Sequence, residues 1–436
     1  MLEQIKKNKP LAAILFVSVL LRIGAAVYLG NEVADLPGIA DQLSYQDLAE
    51  RVVGGYGFTH ATLWWPWTRA NEPTAHWSYL YTLYLAGVYA LVGVRPIVAR
   101  LLQAIVTGVL HPWLAHRLGR RLFGERVGLV AAGATAVYIY FIYYAGALMT
   151  EAFYLTVILW GLEISFSMVS APFGSAQGKS GEPGTRPHWL GRALGLGVLL
   201  GVTLLLRQVY LLFIPFLFIW ILTAGGKRQF RSLVVAGAVM VCAILPATLF
   251  NYRQFDRFVL LNTNAGFAFF WGNHPIYGTH FVPILPGQGA YQKLIPEEVR
   301  VLDEAAMDQE LLRRGIGFVT ADPWRYVLLS LSRIPAYFQF GYAAKSGLVS
   351  NISRIGSFGV FLPFMIWGLI KGWSRRWDSP GFVLVLFAVV YSGVHLLTWA
   401  LVRYRLPVDA VLLVFAACAL AGLWDAWRNR RARRAR

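Results

Sequence analysis

Apolar runs long enough to cross a bilayer, roughly 17–25 residues, recur along the whole chain and are continuous rather than alternating. Continuous runs predict helices and exclude a closed β-barrel, whose strands alternate apolar and polar positions. The runs at 11–29, 96–116, 127–145, 152–169, 193–206, 208–224, 232–250, 355–371, 381–399 and 406–424 predict about ten transmembrane helices. Two long polar segments interrupt them, 30–95 and 251–354. The apolar stretch 77–93 is rich in tyrosine (Tyr79, Tyr81, Tyr84, Tyr89) and reads as a helix lying at the outer interface. A second interfacial helix is expected over 326–342, inside the second polar segment.

Charge placement orients this pattern. Basic residues gather in short connectors: Lys6, Lys7 and Lys9; Arg117, Arg120, Arg121 and Arg126; Lys227, Arg228 and Arg231; Lys371, Arg375 and Arg376; and the tail from Arg428 onward. Basic connectors face the cytoplasm, and with ten spans every one of them falls on that side. Both termini are then cytoplasmic, residues 30–95 and 251–354 lie outside, and the inner (plasma) membrane is the expected location. Counting 77–93 as a span would put Arg117–Arg126 on the wrong side. The Gly/Ser/Pro-rich stretch 170–189 reads as a flexible cytoplasmic linker. The first apolar run, with no small-residue cleavage site behind it, reads as a retained anchor. No repeat of fixed period and no sizeable soluble domain is evident, so the chain reads as one all-α transmembrane domain.

Composition agrees. Hydrophobic residues make up 57% and charged residues 14%, with a mean hydropathy of +0.52. The net charge of +18 would suggest nucleic acid in a soluble protein. Here its confinement to the connectors points to anionic lipid headgroups instead, and nucleic acid is not an expected partner. Cys242 and Cys418 both sit in apolar runs, so no disulfide framework is indicated. The chain has no CxxC pair, HExxH or Walker loop, and its histidines do not cluster at ligand spacing. Asn351-Ile-Ser353 matches a glycosylation sequon, relevant only in a eukaryotic secretory host.

The candidate chemistry lies in the first outer segment. It carries Glu32, Asp35, Asp41, Asp47, Glu50 and Glu72, together with Trp64, Trp65, Trp67 and Trp77. Carboxylates address hydroxyls and flat rings stack on sugar faces. Asp41 precedes or caps a short helix patterned by Tyr45, Leu48, Ala49 and Val52 and ended by Gly54, Gly55 and Gly57. Glu72 precedes Pro73, which imposes an extended backbone. Glu151 opens an apolar helix at the bilayer edge, where an unpartnered carboxylate is costly. Each acid also has a plain structural reading as a cap or a solvated loop residue. Arg207, between two apolar runs, and Arg403 and Arg405, flanking Tyr404, fall at outer membrane edges where arginine is disfavoured. A lipid phosphate would explain them, since guanidinium matches phosphate bidentately; snorkelling to headgroups is the competing reading. Arg22 and Glu163 are intramembrane charges without evident partners.

Asp41 with Tyr45 and Ala49, then GGYGF at 54–58 and EPTA at 72–75, resembles the first outer loop of GT-C membrane glycosyltransferases. The group resembled is the dolichyl-phosphate-mannose:protein mannosyltransferase superfamily with its bacterial relatives, including lipid A aminoarabinose transferases. ARLLQA (99–104), RRLFG (120–124), FWGNHP (270–275) and RYRLPV (403–408) follow in family order. The resemblance implies an inverting transfer of a sugar from a polyprenyl-phosphate donor to a protein, lipid or glycan acceptor. It implies Asp41 as catalytic base, with Glu72 and Glu151 as further acids. Arg207, Arg403, Arg405 and Tyr404 would hold the donor, with Tyr45 and His76 lining the site. His76-Trp77-Ser78-Tyr79 departs from the family's proline-rich run after EPTA and leaves the acceptor open. No cofactor is implied, and a monophosphate leaving group held by arginines needs no essential metal. A glycolipid transporter or flippase is the rival reading. It would need polar groups through the bilayer, whereas the acids here gather at one face.

Overall fold

A computed structural model describes residues 8–36, 38–169, 189–287, 289–344, 346–372 and 376–434. The expected linker lies almost wholly outside the described residues. What is described is helical, with only two isolated β-bridges, Thr59 to Pro73 and Trp64 to Thr68. Among the described residues eight helices are long and apolar enough to cross a membrane, or nine if one bent pair is counted as a span.

The helices of membrane-spanning length are α1 (Lys9–Leu29), α4 (Pro96–Phe123), α7 (Glu151–Val169), α8 (Trp189–Leu206), α10 (Gln229–Phe255), α17 (Val360–Gly372, counted with the helical segment before it), α18 (Pro380–Leu397) and α19 (Leu406–Arg434); α5 (Glu125–Val137) and α6 (Ile139–Gly146) form the bent pair, and α9 (Ile214–Gly225) is a shorter apolar helix. A π turn, Ile355–Gly359, joins α17 to the short α16 (Leu348–Arg354), and together they make one span. α19 is the most buried of them and packs against α4, α5, α7, α17 and α18. α10 is largely peripheral, with apolar residues facing outward.

Two departures from the sequence pattern position the site. The run 127–145 is not straight: α5 and α6 meet at 54°. No proline sits at the break. The carbonyls freed there are taken by Arg22, whose Nη2 donates to Thr135 O at 3.2 Å and whose Nη1 donates to Ala136 O at 3.3 Å. Arg22 also donates to Ser18 Oγ at 2.6 Å. The intramembrane arginine therefore caps a broken helix, in keeping with the need to satisfy every backbone group in lipid. The run 208–224 is likewise broken, into a 3₁₀ turn at Gln208–Leu212 and the twelve-residue α9.

The two polar segments form one cap at the end of the bundle opposite the basic connectors. The first supplies α2 (Asp41–Val53) and α3 (Tyr79–Val92). α3 has 14 residues, about 21 Å at 1.5 Å per residue, too short for a ~30 Å hydrocarbon core. Ser78 caps it, accepting from Tyr81 N at 3.2 Å. The second segment contributes α11 (Ala265–Asn273), α12 (Ala290–Lys293), α13 (Glu304–Ala321), α14 (Pro323–Ser332) and α15 (Ile334–Tyr337). The single interfacial helix expected over 326–342 is instead α14 and α15, which begin at Pro323 and break at Arg333. Pro335 at the start of α15 cannot donate a backbone hydrogen bond, and Arg333 turns into the core to hold Leu396 O and Asn273 Oδ1.

At the other end, Glu163 finds its partners in Arg117 and Arg121, the latter at 3.2 Å. Asn8, His116 and Arg120 gather on Glu125, while Arg126 pairs with Asp425.

Candidate active site

The site is assembled at interruptions in membrane helices. α6 ends at Gly146 and α7 begins at Glu151. Between them the chain turns, and two α4 side chains satisfy the exposed carbonyls. Arg100 Nη1 donates to Gly146 O at 2.7 Å. Gln103 Nε2 donates to Ala145 O at 3.0 Å and Ala147 O at 2.8 Å. The ARLLQA motif thus fixes the turn that presents Thr150 and Glu151 at the N-terminus of α7, where the helix dipole favours a carboxylate. α8 likewise stops at Leu206. Arg207 is extended, with φ −153° and ψ 113°, before the 3₁₀ turn. Its guanidinium reaches Glu151 Oε1 at 2.5 Å and Thr150 Oγ1 at 2.8 Å.

A second ion pair stands beside the first. Arg403, in the 3₁₀ turn Val402–Arg405 ahead of α19, meets Asp41 Oδ2 at 2.8 Å through Nη1. Asp41 is the first residue of α2, so its carboxylate also sits at a helix N-terminus. Tyr404 joins the pairs. The Arg207 guanidinium lies 5.6 Å from its ring centroid and that of Arg403 5.1 Å, both within cation–π range. Behind that ring stacks His395 at 4.8 Å. Tyr391 Oη, one turn earlier on α18, donates to Tyr154 Oη at 3.2 Å. Tyr45 packs edge-on against Trp77 and Tyr81 at 5.4 and 4.9 Å. Burial raises its phenol above the ordinary range, with Asp41 and Glu151 adding to the rise and Arg207 opposing it. Asp41 (25% exposed) and Arg403 (14%) keep a path to solvent, whereas Glu151 (3%) does not.

Asp41, Glu151, Arg207, Arg403, Tyr404 and Tyr45 therefore converge from widely separated parts of the sequence. Two expected members do not join them. Arg405 is fully buried and turned into the bundle, where Nε pairs with Asp409 Oδ1 at 2.9 Å and Nη1 donates to Tyr337 O at 2.7 Å. Its guanidinium also lies 3.6 Å from the Phe358 centroid. Being charge-neutralised in the core, it is not a phosphate ligand. Glu72 pairs with Arg69 at 3.0 Å on a half-exposed edge. Arg69 in turn holds the carbonyls of Arg300 and Leu302, so Glu72 serves the joint between the polar segments.

The carboxylate buried in that joint is Glu304, which the sequence reading missed. It accepts from Thr263 Oγ1 at 2.5 Å, Thr68 Oγ1 at 2.6 Å and Ala75 N at 2.8 Å. The signal was present: Asp303 before Glu304 and an apolar pattern to Ala321 mark a capped helix, and Asp303 accepts from Ala306 N at 2.8 Å.

His76 is clamped beside the site. Nδ1 lies 3.3 Å from Thr263 O, and its ring meets Trp77 at 5.1 Å and Phe267 at 5.7 Å. Of the four tryptophans expected to stack on sugar, Trp77 borders Tyr45 and His76. The others are engaged in the cap: Trp64 on His60, Trp65 on Trp271, and Trp67 under Arg300. Among the described residues no three His, Cys, Asp or Glu side chains converge as metal ligands.

No family model and no curated protein matches this sequence. Solved structures do match. The chain is similar to the Archaeoglobus fulgidus oligosaccharyltransferase in the apo form, with TM-score 0.59 and 16% identity over 97% of this chain and 51% of that one. It is similar to the archaeal oligosaccharyltransferase AglB from the same organism in complex with an inhibitory peptide and a dolichol-phosphate. There the TM-score is 0.58 and the identity 16%, over 98% of this chain and 52% of that one. ArnT from Cupriavidus metallidurans in the apo state matches at TM-score 0.50 and 14% identity, over 94% of this chain and 59% of that one. The chain thus spans about half the length of the oligosaccharyltransferase chains it matches. The expected architecture holds: the chain is an all-α, multi-pass membrane protein with the GT-C fold.

Proposed function

We propose that this protein is a membrane glycosyltransferase that moves a sugar from a polyprenyl-phosphate donor to an acceptor hydroxyl at the outer membrane face. The observation that carries this reading is the pairing of Asp41 with Arg403 and of Glu151 with Arg207 around one tyrosine ring. Two guanidiniums at the mouth of a GT-C bundle suit a phosphate, which each can bind through two parallel hydrogen bonds. The match to a neighbour in complex with dolichol-phosphate supports the same donor class.

In this reading Arg207 and Arg403 hold the donor phosphate. Asp41, the more exposed acid, takes the proton of the acceptor hydroxyl as its oxygen attacks the anomeric carbon in line. The carbon–oxygen bond to phosphate breaks with inversion, and the electron pair leaves on a phosphate neutralised by arginine. General-base assistance of this kind contributes about 10²–10⁴-fold. Glu151, buried against Arg207 and Thr150, fixes that guanidinium and is a positioning residue. The basic connectors and both termini would face the cytoplasm. Mass spectrometry of surface glycans and lipids with and without the gene, and with the Asp41→Asn form, tests the proposal. A glycoconjugate lost in both the deletion and the variant supports it; identical profiles in all three sink it.

A further inference from the structure

α13 approaches α11 at Gly315, where a Cβ would come within 3.2 Å of the Phe270 backbone. Gly317, two residues on, has no such packing reason: a Cβ there would meet no atom within 4 Å. Glycine inside a helix is destabilising relative to alanine. Here it borders a cleft of about 440 Å³ between α11, the turn after α12 and α13, a volume in the range of small-ligand sites. Three rings line the cleft: Phe270, His274 and Phe318, with centroids 5.3, 5.4 and 5.4 Å apart. Ile276 N donates to His274 Nδ1 at 3.2 Å, so the neutral imidazole carries its proton on Nε2. Burial and, after it, the nearby Arg325 push this histidine down to about 4, which keeps the ring uncharged. Arg313 and Arg314 stand at the rim. Arg313 donates to both oxygens of Glu310, at 2.8 and 2.6 Å. Arg314 donates from Nε to Glu310 at 2.8 Å and from Nη1 to Glu298 at 3.0 Å. Its Nη2 has no partner among the described residues.

These groups match one ligand chemistry. Aromatic rings carry negative charge on their faces, which attracts the C–H face of a pyranose. An imidazole N–H, a free guanidinium edge and carboxylate oxygens supply donors and acceptors for hydroxyls. Two arginines against two glutamates leave the rim without net charge, so nothing there selects an anion or a cation. We propose that this cleft binds a neutral sugar of the acceptor, which is therefore an oligosaccharide. This rests on the transferase reading above. α11 joins the cleft to the site. Phe267 near its start meets His76 at 5.7 Å, and Trp271 meets Trp399 at 5.9 Å, four residues ahead of Arg403. From Phe267 to His274 the chain rises about 10 Å, so a chain of a few sugars reaches from the cleft to the site.

Binding of the full-length, fluorescently labelled protein in detergent to a printed array of neutral oligosaccharides and peptides tests this without turnover. The proposal predicts that the wild type binds a subset of the oligosaccharides. Gly317→Trp fills the cleft from a position with open space around its Cβ, so it should abolish that binding with the melting temperature retained. Phe318→Leu keeps most of the bulk but loses the ring, and should weaken binding about two- to tenfold. Absence of oligosaccharide binding by the wild type overturns the proposal, as does undiminished binding in a folded Gly317→Trp or in Phe318→Leu. Binding of peptides instead, lost in Gly317→Trp, makes the acceptor a polypeptide and overturns it equally. Turnover of short-chain polyprenyl-phosphate sugars separates this proposal from the transferase reading. Release of the polyprenyl phosphate by a protein that binds no oligosaccharide sinks the cleft alone. Oligosaccharide binding with no such release sinks the transferase reading, and with it the cleft's role as an acceptor site.

Discussion

Arg403 and Asp41, from opposite ends of the chain, meet at 2.8 Å where the 3₁₀ turn before α19 faces the N-terminus of α2. Two residues on, Arg405 makes an equally short pair with Asp409, at 2.9 Å, but inside the bundle and sealed from solvent. The tripeptide Arg403-Tyr404-Arg405 thus divides its charges: one guanidinium faces the site and the other the core.

That division has a measurable consequence. Removing one partner of a buried ion pair leaves an uncompensated charge and costs about 3–5 kcal/mol. Asp409→Ala is therefore expected to lower the thermal stability of the purified protein markedly. Arg403→Lys, at a partly exposed pair, should leave it nearly unchanged. Differential scanning fluorimetry in detergent compares the two, and equal melting temperatures would contradict the placement of Arg405.

Arg207 binds through two side-chain partners, so its substitution separates geometry from charge. Arg207→Lys keeps the cation but loses the planar fork. The expected result is a several-fold rise in donor KM with little change in stability, read from initial rates over a donor titration. A donor KM equal to that of the wild type would leave Arg207 as a purely structural partner of Glu151.

Asp308 on α13 receives Phe267 N at 3.1 Å and so caps α11. Burial pushes its carboxyl up to about 7, from an ordinary value near 3.8. A carboxyl raised in the folded state binds more protons there than when unfolded, so its contribution falls as pH rises from about 4 to 7 and then levels off. Amide hydrogen exchange of α11 and α13 should therefore be slower at pH 5 than at pH 8 once corrected for intrinsic rates. In Asp308→Asn this difference should shrink; an unchanged pH dependence would place its origin elsewhere.

Sidedness is open to direct labelling. In a background lacking Cys242 and Cys418, a cysteine at the exposed Tyr56 should react with a membrane-impermeant maleimide in intact cells. One at the exposed Lys227 should react only after permeabilisation. The reverse pattern would invert the topology and place the site on the cytoplasmic side.

Much of this architecture is written in the apolar periodicity, because a helix in lipid must satisfy its own backbone and so declares its length. The site was legible for a related reason: Glu151, Arg207 and Arg403 are charges at positions where an unpartnered charge is costly, and each proved to have a partner across the site. What stayed hidden depends on tertiary contacts with backbone. The partners of Arg22 are carbonyls released by a helix break with no proline to mark it. The break itself is held by Tyr138, which donates to Asp409 Oδ2 at 2.7 Å from a remote helix. Arg405 sits in the core and not at the site, held by a partner four residues ahead in the first turn of α19, a spacing that brings side chains together. Glu304 stayed hidden because its helix lies inside a segment whose overall pattern is polar, despite the Asp303 cap.

The central claim is that Asp41 and the arginines around Tyr404 carry out sugar transfer from a lipid phosphate. Its most direct test is single-turnover kinetics of the purified protein in lipid vesicles. Short-chain polyprenyl-phosphate sugars serve as donors, and release of the polyprenyl phosphate is followed by mass spectrometry. The account predicts release by the wild type and a fall of about 10²-fold or more for Asp41→Asn, with apparent donor affinity largely retained. Release at near wild-type rate by a folded Asp41→Asn protein would contradict it.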